Sequence, residues 1–327
     1  MANVETITRT KPPSLRSGDT VGLVAPASNI KREMLEAGCQ ALRELGYKPF
    51  YFDSIFERDL YFAGPVERRV HELEEMFVRD DVRAIICARG GYGTNYLLGK
   101  LDLRKLRTHP KIFVGYSDVT SLLTWFADHA GLVTFHGPMA TKDFANSDGI
   151  DLASWQAAVS AMASWTLGAQ AAEAVKPLVE GSAEGTLYGG CLSMLAASLG
   201  TPYEIRTDDT ILFIEDVATK PFQIDRMLMQ LKLAGKLDRV RGIVFGEMLD
   251  CFQNRDQDYS LQEVILRVVG DLGIPIADGL RSGHVSRQNV TLPLGVRVRL
   301  RVKSTSVELR FLEAATRAQP TEQLSEK

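Results

Sequence analysis

The chain has 327 residues, of which 45% are apolar and 24% charged, and its net charge is −3. That length allows about two domains and a sizeable core, and the composition is that of a globular protein. The nearly balanced charge excludes the basic footprint of a nucleic-acid binder or of a protein held on an anionic membrane.

Residues 1–11 contain no apolar h-region, so no secretory signal is expected. Val21 to Ala25 is a first apolar strand, closed by Pro26 and a Ser/Asn turn. Arg32 to Leu45 reads as a helix ending at Gly46, Lys48 to Phe52 as a strand, and Val66 to Val78 as an amphipathic helix. Val82 to Ala88 is a third strand, stopped by Arg89-Gly90-Gly91-Tyr92-Gly93. Ile112 to Val114 is a fourth, followed by a helix over 118–129 and a strand at Leu132 to Phe135. Strands that are apolar throughout and alternate with helices predict a parallel sheet covered on both faces. In such a sheet the ligand crevice lies outside the carboxyl ends of the strands.

Residues 141–184, rich in Ala, Ser and Asp, read as a connector with a helix around Ala153 to Ser164. Beyond Gly185 the strand candidates are Thr210 to Glu215, Arg241 to Phe245, Val296 to Val302 and Ser306 to Phe311. Helices are expected at Gly190 to Leu199, Phe222 to Leu233 and Leu261 to Val269. The fold class expected is therefore α/β. A doubly wound, Rossmann-like parallel sheet spans 1–140, a connector 141–184, and an α+β domain rich in β-structure 185–327. The polar tail from Ala315 reads as frayed. Arg297 to Lys303 alternates basic and apolar residues, the pattern of one solvated strand face. No apolar run is long enough to span a bilayer. Cys39, Cys87, Cys191 and Cys251 are scattered, with no C-x-x-C pair, as expected of free thiols in a reducing cytoplasm. The sequon at Asn289 has no glycosylation meaning there.

The segment Lys111-Ile-Phe-Val-Gly-Tyr-Ser-Asp-Val carries the strongest chemical signal. A strand runs into a tight turn with Ser117 at the corner and a helix directly after it. That is the layout of a nucleophile elbow, although Val119 stands where G-x-S-x-G has its second glycine. A helix cap by Ser117 or Asp118 is an equally good reading of this segment alone. A serine nucleophile needs a base, and the base an orienting partner. His71, His109 and His129 have bland surroundings; His136, after a strand, and His284, in a polar loop, are the two candidate bases. Glu215 and Asp216 end an apolar strand and are the carboxylate candidates, with Glu247 in a similar place. The Gly-rich turn at 89–93 lacks the P-loop lysine and the Rossmann spacing; its better use is to bring backbone N–H groups to an oxyanion. No His/Cys/Asp cluster has metal-ligand spacing, so neither a metal nor another cofactor is expected.

Taken in order, several segments resemble the LD-carboxypeptidase family of serine peptidases. They are Gly18 to Ser28, Ala88 to Gly93, Gly115-Tyr116-Ser117-Asp118, Phe135-His136-Gly137-Pro138, Gly185 to Gly190, Ile214-Glu215-Asp216 and Gly283-His284. The family includes cytoplasmic murein tetrapeptide carboxypeptidases and microcin C immunity proteins. The resemblance implies a triad of Ser117, Glu215 and His284 acting through an acyl-enzyme, with the N–H groups of Gly91 and Asp118 as oxyanion hole. It also implies an active site between two domains and a homodimer. The substrate implied is a murein tetrapeptide losing its terminal D-alanine in peptidoglycan recycling. A peptidyl- or aminoacyl-nucleotide is the alternative, and a non-catalytic small-ligand binder is the reading from another class. Arg89 is expected at the substrate carboxylate, Tyr116 on the substrate side, and His136 either behind the triad or on the substrate side. For a nucleotide, Trp155 and Trp165 are the candidate stacking residues, against their use as packing anchors.

Overall fold

The apolar runs of the first half lie side by side as a parallel sheet in the computed structural model, which describes residues 9–168, 171, 173–252 and 258–319. The strands are β1 (Thr20–Val24), β2 (Lys48–Phe50), β3 (Val82–Cys87), β4 (Ile112–Gly115) and β5 (Thr134–His136). They pair in the order 2-1-3-4-5, all parallel. Every residue of β4 is buried, as are all but one of β3, so these strands are continuously apolar rather than alternating. The helix Arg32–Glu44 buries Leu35, Cys39 and Leu42, and the helix Val66–Val78 buries Leu73, Met76 and Phe77. Strand order reverses between β1 and β3, which is the position where doubly wound sheets open a crevice.

The second half contributes β6 (Trp165–Thr166), β7 (Lys176–Val179), β8 (Gly181–Cys191), β9 (Thr210–Glu215), β10 (Gly242–Gly246), β11 (Ile276–Leu280), β12 (Leu292–Leu294), β13 (Arg297–Lys303) and β14 (Ser306–Phe311). All but β12 form one sheet in the order β6-β14-β13-β8-β9-β10-β11-β7. Its centre, β8 to β11, is parallel, and its flanks are antiparallel. The architecture is thus mixed α/β, with a parallel sheet and a second, β-rich unit.

Several elements differ from the sequence reading. Residues 141–184 hold a helix, Leu152–Val159, and both edge strands of the second sheet, β6 and β7. Strand β12 crosses back to the first sheet and pairs antiparallel with β5, Leu292 opposite His136. The helix expected from Gly190 is shorter, Leu192–Ala197, because Gly190 and Cys191 complete β8 beside Ile214 and Glu215. The segment from Ala315 is not frayed as far as Gln319. Ala315 and Thr316 are buried, Arg317 N–H donates to Pro12 O at 2.8 Å, and Ala161 N–H donates to Thr316 Oγ1 at 2.7 Å. Its polar residues satisfy backbone groups of the folded chain, a use that composition does not register. Residues 320–327 lie outside the described part. No helix among the described residues is long and apolar enough to cross a membrane.

The two sheets are joined by a polar seam as well as a continuous apolar core. Asp128, in the helical turn Phe126–Ala130, accepts from Tyr188 Oη of β8 at 2.6 Å and pairs with Arg9 at 3.3 Å. Thr120 Oγ1 accepts from Cys191 N–H at 3.1 Å. All these side chains except Arg9 are among the buried residues. Removing one partner of a buried pair leaves the others desolvated and unpaired. Asp128→Ala is therefore expected to lower unfolding stability by about 3 kcal/mol, read as the urea midpoint. Asp128→Asn, which can still accept from Tyr188, is expected to lose less.

Candidate active site

After β4 the chain passes through Tyr116 into Ser117, whose φ is +64°, and then into a short helical turn, Ser117–Val119, and the helix Thr120–Trp125. Left-handed backbone at a non-glycine costs roughly 1–2 kcal/mol. A helix-capping serine sits in the extended region and incurs no such strain, and here no side chain caps the turn. Val119 is fully buried, and its Cγ1 would lie 2.7 Å from any Cβ at residue 115. That contact requires Gly115, while the place of the second elbow glycine is taken by this packing side chain.

The Gly-rich turn after β3 lies against the serine. A Cβ on Gly90 would fall 2.8 Å from Ser117 Cβ and 3.4 Å from Asp118 N, so only glycine lets the turn approach the hydroxyl and its neighbouring N–H. Ser28 Oγ, in the loop after β1, accepts from Tyr92 N–H at 3.1 Å. The buried Arg69 guanidinium donates to Pro26 O at 2.7 Å and Gly93 O at 2.9 Å, tying the loops after β1 and β3 together. Asp118 faces away from any cap: its Oδ2 accepts from Thr94 N–H at 2.9 Å, and its carbonyl from Thr94 Oγ1 at 2.6 Å. Burial pushes the Asp118 carboxyl up from its ordinary value.

From the second sheet, β9 delivers Glu215, whose side chain is 0% exposed. Its Oε2 accepts from His284 twice, from the backbone N–H at 3.1 Å and from Nδ1 at 2.8 Å. With Nδ1 donating to the carboxylate, a neutral imidazole presents Nε2 as the proton acceptor. Gly283 has φ +95°, and a Cβ there would sit 2.6 Å from Glu215 Cδ. Asn289 braces this glycine from both sides, accepting from its N–H at 2.9 Å and donating to its carbonyl at 3.1 Å. Asp216, the first residue after β9, points away from Glu215. Asp216 Oδ2 accepts from Ser193 N–H at 2.9 Å and Oγ at 2.7 Å, the capping use at the helix Leu192–Ala197. Glu247 accepts from Ser286 N–H at 3.0 Å.

The two halves meet where the Tyr116 ring stands edge-on to the His284 ring, centroids 5.1 Å apart. Among the described residues no hydrogen bond joins Ser117 to His284; in free enzymes such contacts are commonly long and tighten with substrate.

The sequence model of the LD-carboxypeptidase N-terminal domain matches residues 21–137, and that of its C-terminal domain matches residues 184–300. The chain belongs to the LD-carboxypeptidase family. It is a serine carboxypeptidase, a hydrolase. The probable murein peptide carboxypeptidase of Bacillus subtilis (strain 168) is 38% identical over 308 residues, which cover 93% of this chain and 96% of that protein. The Microcin C7 self-immunity protein MccF of Escherichia coli is 29% identical, with 90% and 94% covered. The solved structure of the muramoyltetrapeptide carboxypeptidase from Oxalobacter formigenes aligns with a TM-score of 0.80 at 31% identity, covering 90% of this chain and 99% of that one.

In this LD-carboxypeptidase Arg89 is exposed near the serine turn, its guanidinium donating to Asn29 O at 3.3 Å. Tyr116 and His136 differ from that: both are buried. Tyr116 Oη points to Asp143 Oδ1 at 3.5 Å. His136 lies behind Glu215, at 0% side-chain exposure, so neither ring offers surface to a substrate. Trp155 is buried against Phe144, and Trp165 stacks on Phe311 with centroids 3.9 Å apart. Both are packing anchors. Sequence reasoning did not assign Ser28, Arg69, Thr94 or Asn289. Ser28 and Thr94 follow strand ends at the crevice edge and carried that positional signal; Arg69, on an amphipathic helix, carried none. A cluster of Tyr61, Phe62, Tyr92 and Tyr96, with three of the four rings exposed, also flanks the turn, brought together from 30 residues apart.

Burial pushes the Glu215 carboxyl up, but the His284 charge and then the His136 contact outweigh it and hold the group at about 2, against an ordinary 4.5. A depressed carboxyl stabilises the fold above its unfolded value and loses that contribution as pH falls toward the folded one. Between pH 4.5 and 2 the wild-type protein is expected to lose about 3 kcal/mol that Glu215→Gln does not. Urea titrations across that range check it; parallel pH dependences would refute it.

Proposed function

We propose that this LD-carboxypeptidase hydrolyses the amide bond to the terminal D-alanine of murein tetrapeptides, using Ser117, His284 and Glu215. The observation that carries the reading is a serine strained to φ +64°, whose chain neighbour Tyr116 packs edge-on against an imidazole whose Nδ1 is bound to a fully buried carboxylate. The substrate class is supported by the 38% identity to a protein named for murein peptides.

His284 Nε2 takes the Ser117 proton as Oγ bonds to the carbonyl carbon, at the L-configured centre of the diamino acid. The N–H groups of Gly91 and Asp118 hold the oxyanion, and Glu215 steadies the imidazolium. Collapse breaks the C–N bond, and His284 returns its proton to the leaving D-alanine amine. Water, deprotonated by His284, then splits the acyl-serine ester and restores the enzyme. Arg89, an exposed cation on the Gly-rich turn, takes the D-alanine carboxylate. In this reading the serine belongs to an α/β unit at 1–140, the other two members to a unit at 185–327, and 141–184 links them. Four buried, unpaired cysteines support a reducing cytoplasm.

Purified protein is to be incubated with murein tetrapeptide and with an aminoacyl-sulfamoyl nucleotide, and turnover followed by mass spectrometry. Release of D-alanine is expected, with loss of activity in Ser117→Ala and a fall of about 10³–10⁴ in kcat for Glu215→Gln. Unchanged turnover in Ser117→Ala sinks the serine mechanism. Turnover of the nucleotide alone reassigns the substrate, and binding without turnover makes the chain a ligand-binding protein.

A further inference from the structure

Behind the proposed triad lies a second imidazole that the reaction steps above do not use. His136, the last residue of β5, is buried between the two sheets. It packs against the rings of Phe213, 5.1 Å between centroids, and Tyr116, 6.0 Å. Its hydrogen-bonding partners define where its protons sit. Ser282 Oγ donates its single proton to Val290 O at 2.8 Å, because a carbonyl can only accept. The same oxygen lies 2.9 Å from His136 Nδ1 and must accept there, so Nδ1 carries a hydrogen.

The other ring nitrogen then faces the carboxylate. Nε2 stands 3.7 Å from Glu215 Oε1, with both side chains at 0% exposure, and neither atom has another partner. Glu215 Oε2 is already occupied by both His284 donors. A lone pair on Nε2 would set two buried acceptors against each other, each unsatisfied. A proton there turns the same approach into an ion pair.

Charge balance points the same way. For His284 to act as a base it must be neutral in the resting enzyme, which leaves the Glu215 charge without a partner on the catalytic side. A buried carboxylate with no counter-ion takes up a proton instead. Among the described residues, the titratable groups that interact with this pair include His284, Tyr116, whose hydroxyl is turned to Asp143, and the buried thiols of Cys191 and Cys251. Among the described residues, His136 is placed to face Oε1 as a cation, its Nε2 3.7 Å away.

We propose that His136 carries a proton on both ring nitrogens and is the fixed counter-ion of Glu215, extending the proposed triad to Ser117–His284–Glu215–His136. It is a positioning residue: it keeps the carboxylate ionised and turned to His284 while His284 gains and loses its proton. The assignment of His284 as base rests on the triad reading; the protonation of His136 does not.

Selective ¹⁵N-histidine labelling suits a chain with five histidines, and His136→Gln assigns the signal. Both His136 nitrogens are expected to be of protonated type at pH 7–8, measured without turnover. A pyridine-type Nε2 at neutral pH would overturn the proposal. Removing a cation beside a coupled pair favours proton uptake by that pair. His136→Gln is therefore expected to move the acidic limb of kcat/KM upward by about one pH unit, with KM within about three-fold. An unmoved limb in a folded variant also overturns it. If Ser117→Ala kept its activity while His136 proved doubly protonated, the triad would fail and the charge assignment would stand.

Discussion

A fully buried carboxylate at the end of β9 is the constraint around which the site is arranged. Glu215 lies between His136 and His284, and its side chain is 0% exposed to solvent. An ion in such a place persists only with close partners, and the surrounding loops are shaped to supply them. Gly283 exists as glycine so that the backbone can pass against the carboxylate, and Asn289 fixes both of its polar groups. Ser282, donating to Val290 O, holds the Nδ1 side of His136. The loop from 281 to 291 is thus a cradle for one charge before it is a carrier of a base.

The serine is built on different physics. Nothing charged anchors Ser117; backbone geometry does. Its left-handed φ persists because Val119 packs into the space over Gly115 and because Thr94 holds Asp118 by side chain and carbonyl alike. Strain of that kind survives only where the neighbourhood over-determines it. The two constructions face each other across a seam of Asp128, Tyr188, Thr120 and Cys191, so their mutual distance is a property of the interface between sheets and of neither sheet alone.

Much of the first sheet was legible because its strands are apolar throughout and its helices repeat at 3.6 residues. The elbow was legible in outline, since a strand, a turn and a helix follow one another within ten residues. The edge strands β6 and β7 were not: each is two to four residues long and carries no periodicity. Strand β12 read as part of the second half by sequence distance, yet it completes the first sheet. The segment around Ala315 was misjudged because polar residues that bond to backbone look the same in composition as polar residues in water. Tyr116 was expected on the substrate side, and His136 there or behind the triad; that both rings are buried is a matter of packing.

What the sequence determined by itself was local: alternating strands and helices, a serine at a corner, glycines where the chain must pass closely, and acids at the end of an apolar run. Those are set by steric and hydrophobic rules that act over a few residues. Which acid, which imidazole and which face were decided only in three dimensions. Glu215 and Asp216 are adjacent and chemically alike, yet Glu215, ending β9, meets His284, while Asp216, just past the strand, turns to a helix end. His136 and His284 lie 148 positions apart in the chain and meet at one carboxylate, because charge burial couples groups by distance in space, and the chain brings these together only when both sheets have formed.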